Sequence, residues 1–236
     1  VPGPPAAWGS TTCGISAWVR AQPAPCRAAS EDTAAAGTSN SAAKDVITEA
    51  IVSSGRLEVQ RLRSEDVQAA CVVMTKAFGT TDEDITLTGA TQFVRSLLQA
   101  GPDKGAILVA RLFPNDPALL PPKGDSRVVG TVALSFHEDT MQPCPSLPPP
   151  KGSTYLSNMA VDTQLRRQGI ARALLAAATE VTKAAGSDSI YLHVKQSDPG
   201  PQTLYLSAGY TELSRDGLLA KLTGIKPRIL MRRVIA

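Results

Sequence analysis

The sequence predicts a mixed α/β fold whose central sheet contains one βαβ crossover. The first observation behind this is the order of the predicted elements, β-α-α-β-β-β-α-β-α-β-β. The second is the apolar segment Tyr155–Val161, which runs through a glycine-containing turn into a helix and then into a second apolar segment, Ser189–Val194. A strand, a helix and a strand in this order form a parallel crossover.

Length and composition narrow the class of protein. The chain has 236 residues, of which 43% are hydrophobic and 19% charged, as expected for one globular domain with an appendage. The formal net charge of +3 is too small to favour nucleic acid as a partner. Because the sequence contains no run of 18 apolar residues, no membrane span is predicted.

The four cysteines give no sign of a metal site. Cys13, Cys26, Cys71 and Cys144 form no CxxC pair and have no histidine at zinc spacing. We therefore predict free thiols in a reducing compartment, and no metal.

Residues 1–45 have the composition of a leader. The first 30 residues contain Arg20 and Arg27 but no acid, and they are rich in Ala, Pro, Ser and Thr. This composition is typical of an organelle transit peptide and favours a plastid over a mitochondrion, although a plain disordered tail has the same composition. A short helix is predicted over Ala42–Val52, and the ordered domain is predicted over residues 56–236.

The first half of the domain begins with a strand and two helices. Leu57–Leu62 alternates apolar and polar residues, as a half-buried strand does. Ser64 is a predicted N-cap for a helix that runs through Phe78 with an apolar face. The next predicted elements are a helix over Thr91–Ala100, which ends at Gly101-Pro102, and strands over Ala106–Leu112 and Arg127–His137.

The second half contains the crossover. A loop with five prolines, Met141–Gly152, is predicted to be a surface insertion. The helix over residues 169–185 has an apolar face, and Gly186 is its predicted C-cap. The last predicted elements are a short helix over Pro201–Ala208 and a closing hairpin of Tyr210–Leu213 and Arg228–Val234.

The turn before the crossover helix is suited to bind a diphosphate. It carries Arg166 and Arg167, and the helix begins at Gly169. Free N–H groups at a helix start and the helix dipole favour negative charge, and glycine has no Cβ to hold phosphates away. The turn therefore predicts a cofactor with a diphosphate.

Two segments resemble the GNAT superfamily of acyl-CoA-dependent N-acyltransferases. Residues 166–171, Arg-Arg-Gln-Gly-Ile-Ala, fit the pyrophosphate turn of that family. Residues 190–194 and 204–210 fit its strand followed by a Leu-Tyr-x-x-x-Gly-Tyr helix. The resemblance implies the GNAT fold, with a mostly antiparallel sheet, and acetyl-CoA as co-substrate. A Rossmann dinucleotide site is not favoured, because the chain lacks GxGxxG after its first strand.

The resemblance also implies which residues contact acetyl-CoA. The strand Tyr155–Val161 would offer main-chain groups to pantetheine. The turn before the crossover helix would offer N–H groups and charge to the diphosphate. The family usually has Asn where this chain has Asp198, which accepts but does not donate a hydrogen bond. The implied contacts are Met159, Ala160, Val161, Arg166, Arg167, Gln168, Gly169, Ile170, Ala171, Arg172, Asp198 and Tyr205.

Three residues are predicted to be catalytic. Tyr205 resembles the family tyrosine that gives a proton to the departing CoA thiolate. Tyr155 and His193 lie on adjacent parallel strands and resemble a pair that holds the proton-accepting water in certain protein N-terminal acetyltransferases. His137 and Glu138 are alternatives for the base.

The function that this resemblance implies is acetyl transfer to amines. The predicted acceptors are protein N-terminal α-amines, with lysine ε-amines as a further class, in the plastid stroma. One alternative is an acetyltransferase of a small arylalkylamine or polyamine. Another is a non-catalytic module that binds acyl-CoA.

Overall fold

The computed structural model describes residues 46–79, 85–122, 124–144, 146–217, 220 and 226–235. Within them, eight strands form one sheet in the order β1-β2-β3-β4-β5-β6-β8-β7. The strands are β1 Val46–Val52, β2 Gly55–Arg61, β3 Gly105–Pro114, β4 Arg127–Ser135, β5 Thr154–Val161, β6 Ser189–Lys195, β7 Thr211–Arg215 and β8 Arg228–Val234. The helices are α1 Val67–Phe78, α2 Leu87–Ala100, α3 Ile170–Ala184 and α4 Pro199–Ser207.

The sheet is mixed, as predicted, with a single parallel pair among these strands. β5 and β6 are parallel, and every other neighbouring pair is antiparallel. α3 connects the parallel pair, which confirms the predicted crossover. The predicted closing hairpin also forms, but β8 lies between β6 and β7, so β7 is the edge strand.

Helices cover both faces of the sheet. α3 buries one side, including Leu174 and Ala178, against the core that it shares with β1 to β6. α1 and α2 pack on the opposite face, where Phe93 and Met74 are buried. A Cβ at Gly130 of β4 would lie 3.0 Å from Leu174 Cδ1, so this glycine permits the close approach of α3.

The segment Val46–Val52 corrects the sequence prediction. A helix over Ala42–Val52 was the expectation, but residues 46–52 form strand β1, paired antiparallel with β2 from Val52↔Gly55 to Val46↔Gln60. The β-branched residues in Val-Ile-Thr-Glu-Ala-Ile-Val suit a strand. The sheet therefore begins before residue 56. The predicted leader, with Cys13 and Cys26, lies outside the described residues.

The proline-containing loop lies at the surface, as predicted, but part of it packs inward. Most described residues of 141–152 are exposed or half-buried, whereas Gln142 is only 5% exposed. Met141, Cys144 and Leu147 pack on a small cluster formed by Tyr155, Tyr191 and Leu230. The loop thus covers the part of this sheet face, over β5, β6 and β8, that α1 and α2 leave open.

In the described part of the chain, no helix has the length and apolar character needed to cross a membrane. The same residues contain no group of three or more His, Cys, Asp or Glu arranged to hold a metal ion.

Candidate active site

Strands β5 and β6 diverge shortly after they begin. They pair in parallel only at Thr154↔Ile190 and Tyr155↔Tyr191. β5 remains paired with β4 through Val161, but the register shifts where Asn158 adopts a left-handed φ of 51°. A bulge of this kind bends a strand. From residue 156 onward β5 therefore has one free edge, as the family resemblance implied.

The divergence opens a cleft of about 170 Å³. Five residues predicted from the sequence line it: Tyr155, Met159, His193, Asp198 and Tyr205. Gln142 and Arg228 line it as well, and sequence reasoning did not select them. His137 and Glu138, the alternative bases, are not among the lining residues; both are exposed, and His137 pairs with Asp139 at 3.2 Å.

The turn before α3 has the shape of an anion cradle. Arg167 and Gly169 have left-handed φ angles of 67° and 92°. A Cβ at Gly169 would meet no protein atom within 4 Å, so space is open directly above the backbone. The first helical hydrogen bond runs from Ala173 N–H to the Gly169 carbonyl at 3.0 Å. The N–H groups of residues 169–172 therefore precede the helix ladder and fit a diphosphate.

The cradle is held by contacts distant in sequence. The Gln168 side-chain oxygen accepts from Ser54 N–H at 3.2 Å and from the Ser54 hydroxyl at 2.7 Å. Asp162 forms an ion pair with Arg127, and its second oxygen caps the short helix Thr163–Leu165. The Gln168 side chain thus fixes the loop to the β1–β2 turn, which leaves its main chain for a ligand.

Three arginines surround the cradle. Arg166, Arg167 and Arg172 are all exposed. Arg172 Nη2 lies 3.4 Å from the Ser207 hydroxyl. The ion pairs formed among the described residues include none of the three. Their charge is therefore available to an anion at the helix start.

Tyr205 reaches the cleft from α4, and its phenol is held in the protonated form. The side chain is 7% exposed, and its ring meets Tyr210 edge-on with centroids 5.6 Å apart. Burial raises the pKa of Tyr205 well above its ordinary value, and the carboxylate of Asp198 raises it further. The phenol therefore keeps its proton at neutral pH, which is the protonation state that a proton donor requires.

Tyr155 and His193 are in contact. Tyr155 Oη lies 2.9 Å from His193 Nδ1, and His193 Nε2 lies 3.0 Å from the Leu147 carbonyl. A carbonyl only accepts, so Nε2 carries a hydrogen and donates it. In neutral His193 this leaves Nδ1 as an acceptor for the Tyr155 hydroxyl. Cys144 Sγ lies 3.7 Å from the same nitrogen.

The comparison with protein families agrees with this geometry. Residues 91–210 match the Acetyltransferase (GNAT) family. This chain belongs to the GNAT family. The match includes the diverging strands, the cradle and Tyr205, and the family uses acetyl-CoA. Residues 91–210 therefore form an acetyltransferase domain of the GNAT type.

A curated relative of this GNAT chain is known from a plant. GCN5-related N-acetyltransferase 5, chloroplastic, from Arabidopsis thaliana is 28% identical over 193 residues. The aligned region covers 76% of this chain and 59% of the relative. The chain thus spans less than two thirds of that protein.

Solved structures share the GNAT fold. A GNAT-family protein from Desulfovibrio desulfuricans superposes with a TM-score of 0.55 at 17% identity, covering 76% of this chain and 99% of its own. The GNAT domain of S. lividans PAT gives 0.53 at 12% identity, covering 83% and 99%. The ribosomal-protein-S18-alanine N-acetyltransferase from Escherichia coli gives 0.50 at 17%, covering 76% and 94%. At these identities the likeness concerns the fold.

Proposed function

We propose that the protein transfers an acetyl group from acetyl-CoA to protein N-terminal α-amines, and also to lysine ε-amines. The observation that carries this proposal is the meeting of Tyr155, His193 and Tyr205 in one cleft. The cleft lies where β5 diverges from β6, and α3, which begins at the anion cradle, connects these strands. A module that only binds acyl-CoA has no need of a proton acceptor and a proton donor in the same cleft.

The proposed cofactor contacts follow the free edge of β5 and the cradle. Met159, Ala160 and Val161 would hold pantetheine through main-chain groups, as an added strand is held. The N–H groups of Gln168, Gly169, Ile170, Ala171 and Arg172 would bind the diphosphate, with charge from Arg166 and Arg167. Asp198 lines the cleft beside Tyr205 and would accept from a pantetheine amide.

The Tyr155–His193 contact gives a route for the amine proton. We assign the route as amine, bridging water, Tyr155 Oη and then His193 Nδ1, since Nδ1 is the ring nitrogen with a free lone pair. The neutral amine nitrogen then bonds to the thioester carbonyl carbon, and as the C–S bond breaks the nitrogen releases its second proton to solvent. Tyr205 gives its proton to the departing thiolate and recovers one from solvent.

The basicity of the acceptor favours α-amines. A protein α-amine has a pKa of about 7.7–8.0, whereas a lysine has about 10.4. A relay that ends on a histidine imidazole is a mild base. It therefore removes the proton from an α-amine more readily than from a lysine or an aliphatic polyamine.

We propose the plastid stroma as the location. Support comes from the composition of residues 1–45 and from the chloroplastic relative in Arabidopsis thaliana. A fluorescent fusion of the chain with its leader, compared with one that begins at residue 46, tests this. Plastid import of the first fusion only is the expected result.

The acceptor class is tested with purified protein, acetyl-CoA and a mixed library of peptides, polyamines and arylalkylamines. Mass spectrometry should show an added acetyl group on peptide α-amines first and on lysines more slowly. Acetylation of small amines alone would establish the alternative enzyme. Binding of acetyl-CoA without acetylation of any amine would establish a binding module.

A further inference from the structure

Two buried side chains of the cleft carry hydrogen-bond donors without acceptors. Arg228 is 3% exposed and Gln142 is 5% exposed, and both line the cleft. Within the part of the chain that the structure describes, the Arg228 Nη1 and Nη2 atoms and the Gln142 Nε2 atom have no hydrogen-bond partner. A buried guanidinium without an acceptor is costly, and it needs an anion rather than another neutral group.

Among the described residues, no carboxylate pairs with the Arg228 guanidinium. Asp216 is the nearby acid, but its carboxylate accepts the Arg228 main-chain N–H at 2.9 Å and the Ser146 hydroxyl at 3.0 Å. The main chain of Arg228 is thus anchored, while its Nη1 and Nη2 atoms have no described acceptor.

The strand register places this charge beside the proposed relay. His193 pairs with Leu230 and Lys195 pairs with Arg228, so all four side chains are on one face of the sheet. Arg228 is therefore two residues, or about 7 Å, along the strand from the level of His193. Among the described lining residues, Arg228 and Lys195 are cationic and Asp198 is anionic. Asp198 acts on Tyr205, and none of the described ion pairs joins Asp198 to Arg228.

We propose that Arg228 and Gln142 form a subsite for a carboxylate of the acceptor. This inference rests on the proposed peptide acetylation and specifies the peptide: an acidic side chain at the first or second position. Such a side chain spans about 7 Å from the α-amine. The carboxylate would accept from the Arg228 guanidinium and from Gln142 Nε2, which satisfies these three donor atoms at once.

The test uses two acceptor peptides that are identical except for Glu or Gln at position 2. The wild-type protein should prefer the Glu peptide about ten-fold or more in kcat/KM, chiefly through a lower KM, as a charged hydrogen bond would give. Arg228→Gln should raise the KM of the Glu peptide to that of the Gln peptide. Gln142→Met should reduce the preference in part.

Arg232→Gln is the matched control. Arg232 lies on the same strand and face as Arg228 but is not among the cleft-lining residues. It should keep the preference for Glu. Thermal melts of each variant identify any that fails to fold, and the wild-type comparison of the two peptides needs no variant at all.

The outcomes separate the subsite from the proposed function. The subsite is overturned if the wild-type protein has equal kcat/KM for both peptides, or if the preference for the Glu peptide survives Arg228→Gln. Peptide acetylation is unaffected by either result. If no peptide is acetylated, the proposed function fails. Calorimetric binding of the two peptides in the presence of CoA then decides the subsite: tighter Glu binding that requires Arg228 supports it, and equal binding overturns it.

Discussion

The hydroxyl of Tyr155 in β5 lies 2.9 Å from Nδ1 of His193 in β6. The two strands are parallel and in register at Tyr155↔Tyr191, so His193 is two residues beyond the last paired position. The contact therefore forms where the strands begin to diverge, at the closed end of the cleft. His193 is fixed on its other side by the Leu147 carbonyl. In the proposed relay, Tyr155 faces the substrate and His193 accepts its proton.

Loss of the Tyr155 hydroxyl should interrupt the proton route. Tyr155→Phe is expected to lower kcat at pH 7 roughly 10²-fold. The defect should shrink toward pH 9, because the α-amine then loses its own proton without help. Tyr191→Phe is the control, since Tyr191 pairs with Tyr155 but does not line the cleft. A defect of equal size at both pH values would contradict the relay.

Tyr155 and His193 should act as one unit. The double variant Tyr155→Phe, His193→Ala is expected to be hardly slower than either single variant, because each removes the same route. Steady-state kcat for the four proteins completes the cycle. Fully additive losses would show that the two residues work separately.

Removal of the Tyr205 hydroxyl should affect turnover and not cofactor binding. Tyr205→Phe is expected to lower kcat roughly 10²-fold, since the thiolate must then leave without a proton donor. The Kd of CoA from calorimetry should stay nearly unchanged. An unchanged kcat would remove Tyr205 as the acid.

Burial of Tyr205 also predicts how stability depends on pH. The pKa of Tyr205 is raised in the folded protein, so the unfolded chain releases this proton first as pH increases. The stabilisation that comes from this pKa difference is fully present below pH 10, the ordinary pKa of a tyrosine. It is lost progressively as the pH rises above that value. The free energy of unfolding, measured with urea, should therefore fall less steeply with pH for Tyr205→Phe than for the wild-type protein between about pH 9.5 and 11. Parallel pH curves for the two proteins would refute the raised pKa of Tyr205.

The tie between Gln168 and Ser54 should position the cradle. Gln168→Ala is expected to raise the Kd of CoA roughly three- to ten-fold, because it removes two hydrogen bonds that hold the loop. Ser54→Ala should have a smaller effect, as the Ser54 N–H remains. The double variant should match Gln168→Ala alone. A larger loss in the double variant would show that Ser54 acts on CoA by another route.

The parts of the fold and site that the sequence predicted depend on local chemistry. The cradle combines a strand end, two arginines and Gly169 within a few residues, and the structure gives this glycine the left-handed φ that the turn needs. The crossover was predictable because α3 has a clear apolar face next to two apolar strands.

The parts that the sequence did not predict have two causes. Val46–Val52 forms a hairpin with β2, which follows it directly, and its β-branched residues suit that strand. The other parts depend on partners far along the chain: Gln142 lines the cleft, and the Leu147 carbonyl contacts His193, because the 141–152 loop packs on Tyr191 and Leu230. Arg228 looked like an ordinary strand residue, since only the assembled sheet shows its guanidinium buried without an acceptor.

The central claim is that the main chain around Gly169 binds the diphosphate of acetyl-CoA, and one calorimetric experiment tests it directly. CoA should bind the wild-type protein with one-to-one stoichiometry. Gly169→Asp should abolish binding, because it places bulk and negative charge against the phosphates. The control is Gly186→Asp, which has a similar left-handed φ of 77° and open space but lies at the far end of α3. Binding lost only in Gly169→Asp is the predicted result, and no heat with wild type, or equal affinity in Gly169→Asp, would contradict the claim.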